Sequence, residues 1–346
     1  MNVAYEDRKL HNDGIFDSLM GYKEWFHYLG TFYVKEKPLN FMLGFPMSFT
    51  GKGAFGWISF EKKQYSLAGN ITDTDKDGFY ELQRFPVYFE PVKAGYTLWY
   101  VAEPKPDTLY KGTIEGRFPD YTFDIQTPDV TVKITMNIDS LQSLFTKEVF
   151  PWMPKKKIAS WFHSGDITPS IEGTVAGVDV TSESAKNKGW YERMWSKVPV
   201  LWPSEWLWSM AHLENGYIFD LYTAKSLGLQ VHPLDECWLY HDGTFSLFTH
   251  YESQFPEGLQ TAIENKNYPA IIGKCITYRG RNGKNRFEAK AKITGFRRYE
   301  FRDYSANIKY TNFIFDMSGN AVIDGDTIDM KGRGAAEWAP MKYWWV

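Results

Sequence analysis

Apolar and polar residues alternate with a period of two along most of the chain, and turn residues break the alternation at short intervals. A period of two sends successive side chains to opposite faces of a pleated strand, so the pattern predicts many short strands, each with a face to bury. Three of the breaks are hairpin signals. Asn215-Gly216 in "LENGYIF", Asp242-Gly243 in "YHDGTF" and Asn282-Gly283 in "GRNGKN" are pairs that accept the positive φ of a tight two-residue turn. Helical periodicity is confined to "SLQSLFTKEVF", Ser140 to Phe150, and "PEGLQTAIEN", Pro256 to Asn265. So many consecutive strands with so little helix predict an all-β chain of antiparallel barrels or sandwiches.

The length of 346 residues suits two domains. The break is expected in "SKVPVLWPSE", where Pro199 and Pro203 would interrupt strand pairing, dividing the chain into residues 1–198 and 199–346. Composition sharpens the β reading: 14 Trp, 22 Tyr and 25 Phe make the chain 18% aromatic, a content suited to half-buried pleated surfaces. Net charge is −3 with no long run of one sign, so no nucleic-acid partner is expected, and "PKKK" at Pro154 to Lys157 reads as a solvated turn. Cys237 and Cys275 lack CxxC spacing, which predicts small buried apolar residues in a reducing compartment. The polar N-terminus lacks the apolar core of a secretory signal, and no apolar run approaches the ~20 residues of a membrane helix. The expectation is a cytoplasmic protein with no transmembrane segment.

Two motifs fail on context. "GKGAFG", Gly51 to Gly56, satisfies GxGxxG, but "WISFEKKQYSL" follows it and alternates like a strand, where a dinucleotide site needs a helix. "DTDKDGFYELQR" begins like a calcium loop, with Asp73, Asp75, Asp77 and Gly78 in place, yet its twelfth position is Arg84, a cation where the ion needs two oxygens. His232, His241 and His250 are evenly spaced but form no HxH or HExxH pattern, and no metal is expected.

The densest aromatic stretch runs from Gly189 to Tyr222 and holds five tryptophans. In "GWYERMW", Trp190, Glu192 and Met194 face one way and Tyr191, Arg193 and Trp195 the other. A two-residue loop at Asn215-Gly216 would pair Ala211 with Asp220 and His212 with Phe219. That register puts Trp206, Trp208, Met210 and His212 opposite Phe219 and Leu221, and leaves Asp220 on the other face with Leu207, Ser209, Ala211, Ile218 and Tyr222. Core packing accounts for most such aromatics, and an Arg193–Asp220 ion pair would account for the charges without chemistry. The alternative is a carboxylic acid among aromatic faces, able to protonate an alkene and shelter the resulting cation.

Four stretches carry a family likeness. "KEWFHYLGTFYVKEKPLNFMLGFPMSF" from Lys23 to Phe49, with Glu24, Trp25 and Gly30, resembles the opening strands of the carotenoid 1,2-hydratase (hydroxyneurosporene synthase) family and its lipocalin-like relatives. "WFHSGDITPSIEGTVAGVDVTSESAKNKGWYERMW", Trp161 to Trp195, resembles the segment that closes the first domain with a Gly-aromatic-x-acid-His-x-Trp motif. "WLWSMAHLENGYIFDLY", Trp206 to Tyr222, is similar to the hairpin that opens the second, and "GRGAAEW", Gly332 to Trp338, to the final strand. The resemblance implies two tandem lipocalin-like antiparallel β-barrels, no organic cofactor, and a hydrophobic substrate such as a polyene or terpenoid. Similar folds occur in fungal enzymes that guide Diels–Alder cyclisation, so the fold does not choose the reaction. Glu192 and Trp195 match the motif's acid and tryptophan, but Arg193 replaces its histidine and Ser196 the following glycine. Arginine stays charged and cannot donate a proton near neutral pH.

These readings converge on a cofactor-independent enzyme that hydrates, isomerises or cyclises an unsaturated hydrophobic molecule. Asp220 or Glu192 would be the acid, Trp195, Trp206 and Trp208 the cation-stabilising walls, and Tyr191 and Arg193 the groups that place a polar end. Trp25, His212 and Tyr222 complete the expected substrate contacts. The alternatives are a lipocalin-like carrier that binds without transforming its ligand, and a cyclase that works by shape alone.

Overall fold

The computed structural model describes residues 23–48, 51–61, 63–70, 82–92, 98–100, 109–117, 119–126, 129–138, 144–148, 159–196, 205–225, 235–265, 267, 270–302 and 306–343. Two compact units emerge: residues 1–94 with 101–202, and residues 95–100 with 203–346. The described strands in the first half of the chain are β1 (Lys23–Val34), β2 (Lys37–Ser48), β3 (Gly51–Phe60), β4 (Lys63–Asn70), β5 (Leu82–Val92), β6 (Leu98–Tyr100) and β7 (Leu109–Arg117). Then follow β8 (Asp120–Gln126), β9 (Val130–Asn137), β10 (Phe145–Glu148), β11 (Ala159–Ile167), β12 (Ser170–Val175), β13 (Val178–Asp179) and β14 (Lys188–Ser196). The remainder holds β15 (Glu205–Leu213), β16 (Ile218–Lys225), β17 (Glu236–His241), β18 (Thr244–Leu247), β19 (His250–Gln254) and helix α1 (Leu259–Glu264). It ends with β20 (Cys275–Asn282), β21 (Asn285–Arg302), β22 (Ala306–Ile323), β23 (Asp326–Asp329) and β24 (Gly332–Tyr343).

The first unit is one sheet in the order β10-β11-β14-β1-β2-β3-β4-β5-β7-β8-β9-β12-β13. It curls, because Tyr28 on β1 packs edge-on against Tyr121 and Phe123 on distant β8 at 5.1 and 4.8 Å. The second unit runs β18-β17-β16-β15-β24-β22-β21-β20-β19 and curls likewise: Phe219 on β16 lies 5.7 Å from Tyr278 on β20. β6 joins this unit as a parallel partner of β21, an exception to the otherwise antiparallel pairing of the described strands. The all-β, lipocalin-like architecture expected of the chain is the one observed.

Burial separates two kinds of strand. On β9, Val130, Val132, Ile134 and Met136 are buried while Thr131, Lys133, Thr135 and Asn137 are exposed, the signature of a sheet with one wet face. On β15 to β17 the runs Leu207–Ala211, Ile218–Tyr222 and Glu236–Tyr240 are buried without interruption, so both faces are dry. Polar residues on those strands are therefore out of water, whichever way they point.

Several turn expectations change. Asp242-Gly243 forms the two-residue turn read from the sequence, both residues at positive φ. At Asn215-Gly216 the loop has three residues: Leu213 N–H donates to Tyr217 at 2.8 Å, and Gly216 takes φ 88°. The extra residue slides the pairing by one, so Asp220 faces Met210 and not Ala211. The third hairpin turns on Gly283-Lys284 rather than Asn282-Gly283, with Asn282 paired to Asn285. The helix expected over Ser140 to Phe150 is replaced by β10 where that segment is described, and α1 forms inside Pro256 to Asn265 with Leu259, Ala262 and Ile263 buried on one face. "GKGAFG" opens β3 as a strand. Asp73, Asp75, Asp77, Gly78, "PKKK" and His232 lie outside the described residues. Cys237 is buried as expected, whereas Cys275 is only half-buried at the start of β20.

Candidate functional site

The corrected register gathers the second unit's polar residues on one face. Asn312, Glu337, Trp208, Tyr222 and Glu236 form a continuous row across β22, β24, β15, β16 and β17, each directly opposite the next. The adjoining row is Ile314, Ala335, Met210, Asp220 and Trp238. Every one of these side chains is buried, Asp220, Asn312 and Trp238 completely. Asp220 therefore shares its face with the tryptophans instead of the small residues opposite them.

Indole N–H groups hold the carboxylates. Trp208 Nε1 donates to Asp220 Oδ1 at 2.7 Å, a short bond. Trp238 Nε1 donates to Glu236 Oε1 at 3.2 Å, and at the end of β15 the Trp338 indole donates to Glu205 at 2.9 Å. These carboxyls also act on their neighbours. Burial, followed by the Asp220 and Glu236 carboxylates, pushes the Cys237 thiol well above its usual range. The Tyr251 phenol is raised in the same way, by burial first and then by Asp235 and these neighbours. Of the other expected contacts, Tyr222 is buried in the first row, and Trp206 and His212 are half-buried on the same face.

In the first unit β14 divides its residues as the alternation predicts. Tyr191, Arg193 and Trp195 are buried and lie on the interior side of the curled sheet. Tyr191 stacks on Tyr121 at 5.6 Å, and the Arg193 guanidinium stands 4.2 Å above the Phe26 ring, a cation–π contact away from water. Glu192 points the opposite way, toward the face of Trp25 and His27. It lies directly opposite His27 on β1 and His163 on β11, both fully buried, and His27 Nδ1 is 3.8 Å from Glu192 Oε2. Trp25 is half-buried, its ring edge-on to His27 at 6.0 Å. Arg193 and Asp220 belong to different units.

Sequence reasoning missed His27, His163, Glu236, Glu337, Asn312 and Trp238. For the histidines a signal existed: the tripeptide Trp-Phe-His occurs at Trp25 to His27 and again at Trp161 to His163. For Glu236 and Glu337 the signal is weaker, a carboxylate set one residue from a buried neighbour inside an apolar strand.

Fold and geometry thus define a class: an all-β chain of two curled, lipocalin-like sheets that carries buried acids and imidazoles on its strands. No protein-family model and no curated protein sequence matches the chain. Solved structures do. Kievitone hydratase from Nectria haematococca is 11% identical, with 96% of this chain and 95% of that one covered and a TM-score of 0.50. CghA, solved alone and with Sch210972, is 11% identical, with 93% and 88% covered and a TM-score of 0.53. At that identity the likeness is one of fold, and it extends over both units.

Proposed function

We propose that the chain is an enzyme of the hydratase/cyclase type, akin to the carotenoid 1,2-hydratase family, that protonates a double bond of a hydrophobic, terpenoid-like or polyene small molecule without an organic cofactor. The observation that carries this reading is Asp220: a fully buried carboxyl bonded to the Trp208 indole and set opposite Trp238. Burial favours the protonated carboxyl while the indole bond favours the charged one, and a carboxyl held between these opposed effects among aromatic rings is the kind of group that can pass a proton. Its proton would pass to one alkene carbon, leaving a cation at the other, and indole faces attract such a cation. Water then adds and loses a proton to give an alcohol, an adjacent C–H proton leaves to give an isomer, or a second double bond adds to close a ring and the new cation loses a proton or takes up water in the same way.

Kievitone hydratase carries hydration in its name and shares the fold, but a shared fold does not choose among these outcomes. The two free cysteines and the lack of any helix long and apolar enough to cross a membrane, among the described residues, accord with a cytoplasmic setting. Incubation in heavy water with acyclic terpenoids and polyenes tests the proposal. Product with carbon-bound deuterium is expected from the wild type, and its loss from Asp220→Asn. Ligand retained but returned unlabelled would replace the enzyme by a carrier, and an unlabelled product of unchanged mass would replace acid catalysis by a shape-driven cyclisation.

A further inference from the structure

β14 is flanked on both sides by the same tripeptide in the same register. Trp25-Phe26-His27 on β1 and Trp161-Phe162-His163 on β11 each set Trp opposite Met194, Phe opposite Arg193 and His opposite Glu192. A single carboxyl thus stands between two imidazoles held by rigid neighbouring strands. His27 and His163 are fully buried and Glu192 nearly so. Around them are edges of indoles: Trp161 and Trp190 approach the His163 ring at 4.9 and 5.0 Å. The other charged described side chains on this face of β10, β11, β14 and β1 are Lys147, opposite Trp161, Lys188, opposite Thr31, and Asp166, in the bulge of β11 next to the interior-facing Ile167.

At 3.8 Å, His27 Nδ1 and Glu192 Oε2 stand beyond hydrogen-bond length, and a proton on the imidazole makes the two an ion pair. Out of water that interaction is strong, and two titratable groups so coupled take up protons as a pair and not as individuals. We propose that Glu192 and His27 form one coupled acid–base pair, with His163 as a second imidazole across the strand, able to give a proton to an unsaturated substrate and take one back. The proton balance of the reaction calls for both halves. A hydration places one proton on carbon and releases one from the attacking water; an isomerisation places one and removes another from a neighbouring carbon. His27 and His163 are positioning residues in this scheme, acting through Glu192.

The use of the pair rests on the acid–base reading above, but the coupling itself does not, and the test separates the two. Histidine imidazole signals are followed by NMR against pH in the wild type and in Glu192→Gln. The midpoint of His27 should fall by about one pH unit or more, a tenfold loss of proton affinity, when the carboxylate becomes a neutral amide. A midpoint unmoved by the substitution overturns the proposal. Should Glu192→Gln fail to fold, the wild type decides: the Glu192 carboxyl carbon and the His27 ring should report the same macroscopic midpoints, and independent single titrations would overturn the pairing. Deuterium incorporation by His27→Gln then reads the use separately. A loss of turnover with unchanged ligand binding supports it, while full turnover beside a confirmed coupling rejects the catalytic use alone.

Discussion

The two units use tryptophan in opposite ways. In the second unit the indole N–H is the working part: it holds Asp220, Glu236 and Glu205 through bonds of 2.7, 3.2 and 2.9 Å. In the first the ring edge is the working part, packed on imidazoles at Trp25–His27, Trp161–His163 and Trp190–His163. An N–H donor favours the charged form of a carboxyl, whereas a ring edge only keeps water away from an imidazole. One residue type thus builds an acid face in one sheet and a base-rich face in the other. Composition reveals only that tryptophan is abundant; the difference lies in which atom meets which partner.

The largest effect that would sharpen this contrast is on turnover. Asp220→Asn keeps the shape of the side chain and its bond to Trp208 but removes the transferable proton, so product formation should drop by at least about 10²-fold. Glu192→Gln should cost less if Asp220 is the primary acid. A ranking in which Glu192→Gln abolishes turnover and Asp220→Asn does not would move the primary acid to the first unit.

A smaller effect, on stability, tests the indole bonds. Trp208→Phe retains an aromatic ring and removes the donor, leaving Asp220 Oδ1 short of a partner it has in the wild type; the cost should be about 1–3 kcal/mol in urea unfolding. Trp238→Phe, with its longer bond to a slightly exposed Glu236, should cost less. Equal losses in both variants would mean that ring packing, and not the N–H, sets the contribution of these tryptophans.

How far the sequence carried the fold and the site can be read from particular residues. The all-β reading held because period-two alternation reports directly on strand faces, and Val130 to Asn137 show it residue by residue. Placing Asp220 failed by a single residue, since Gly216 at φ 88° accommodates a three-residue loop as easily as the expected two, and one step of register exchanges the faces. The turn between β1 and β2 was invisible for a different reason: Lys35 and Glu36 adopt φ of 48° and 65° without the glycine or asparagine that would announce it. Asn187 illustrates a third limit. In "KNKG" it looks like a solvated turn residue, yet it is fully buried, accepting from the Tyr33 N–H at 3.0 Å and donating to the Pro169 carbonyl at 3.0 Å. Ser182 also meets it within the same turn, but Tyr33 and Pro169 lie well away along the chain, and local pattern contains no trace of them. The pairing of Glu192 with His27 and His163 joins three distant segments in the same way, legible only as a repeated tripeptide until the strand order is known.

Thiol chemistry offers a milder probe of the acid face. Cys237 is buried, and burial together with Asp220 and Glu236 raises its thiol far from ionisation, whereas Cys275 is half-buried. A disulfide reagent should therefore modify one thiol rapidly in the native protein and the second only on unfolding. Two fast thiols would show that the carboxylate-bearing strands open to solvent in the folded state, and the dry acid face would have to be abandoned.

The smallest expected effect comes from Glu205, the acid at the end of the same indole series. Burial alone would raise its carboxyl, but hydrogen bonds from Lys225 and Trp338, with the Lys225 charge, outweigh it and hold the group below the ordinary glutamate range. A folded-state value below the unfolded one means that the carboxylate stabilises the fold above the unfolded value near pH ~4.5. That contribution is lost as pH falls through the lower, folded value. Glu205 is only half-buried and its Lys225 partner exposed, so screening should keep the contribution under about 1 kcal/mol. Unfolding free energies of the wild type and Glu205→Gln should differ by this amount near neutral pH and converge in acid. A gap that stays constant as the pH drops would assign Glu205 to packing alone, and the contrast between the units would then rest on the two buried carboxyls, Asp220 and Glu236.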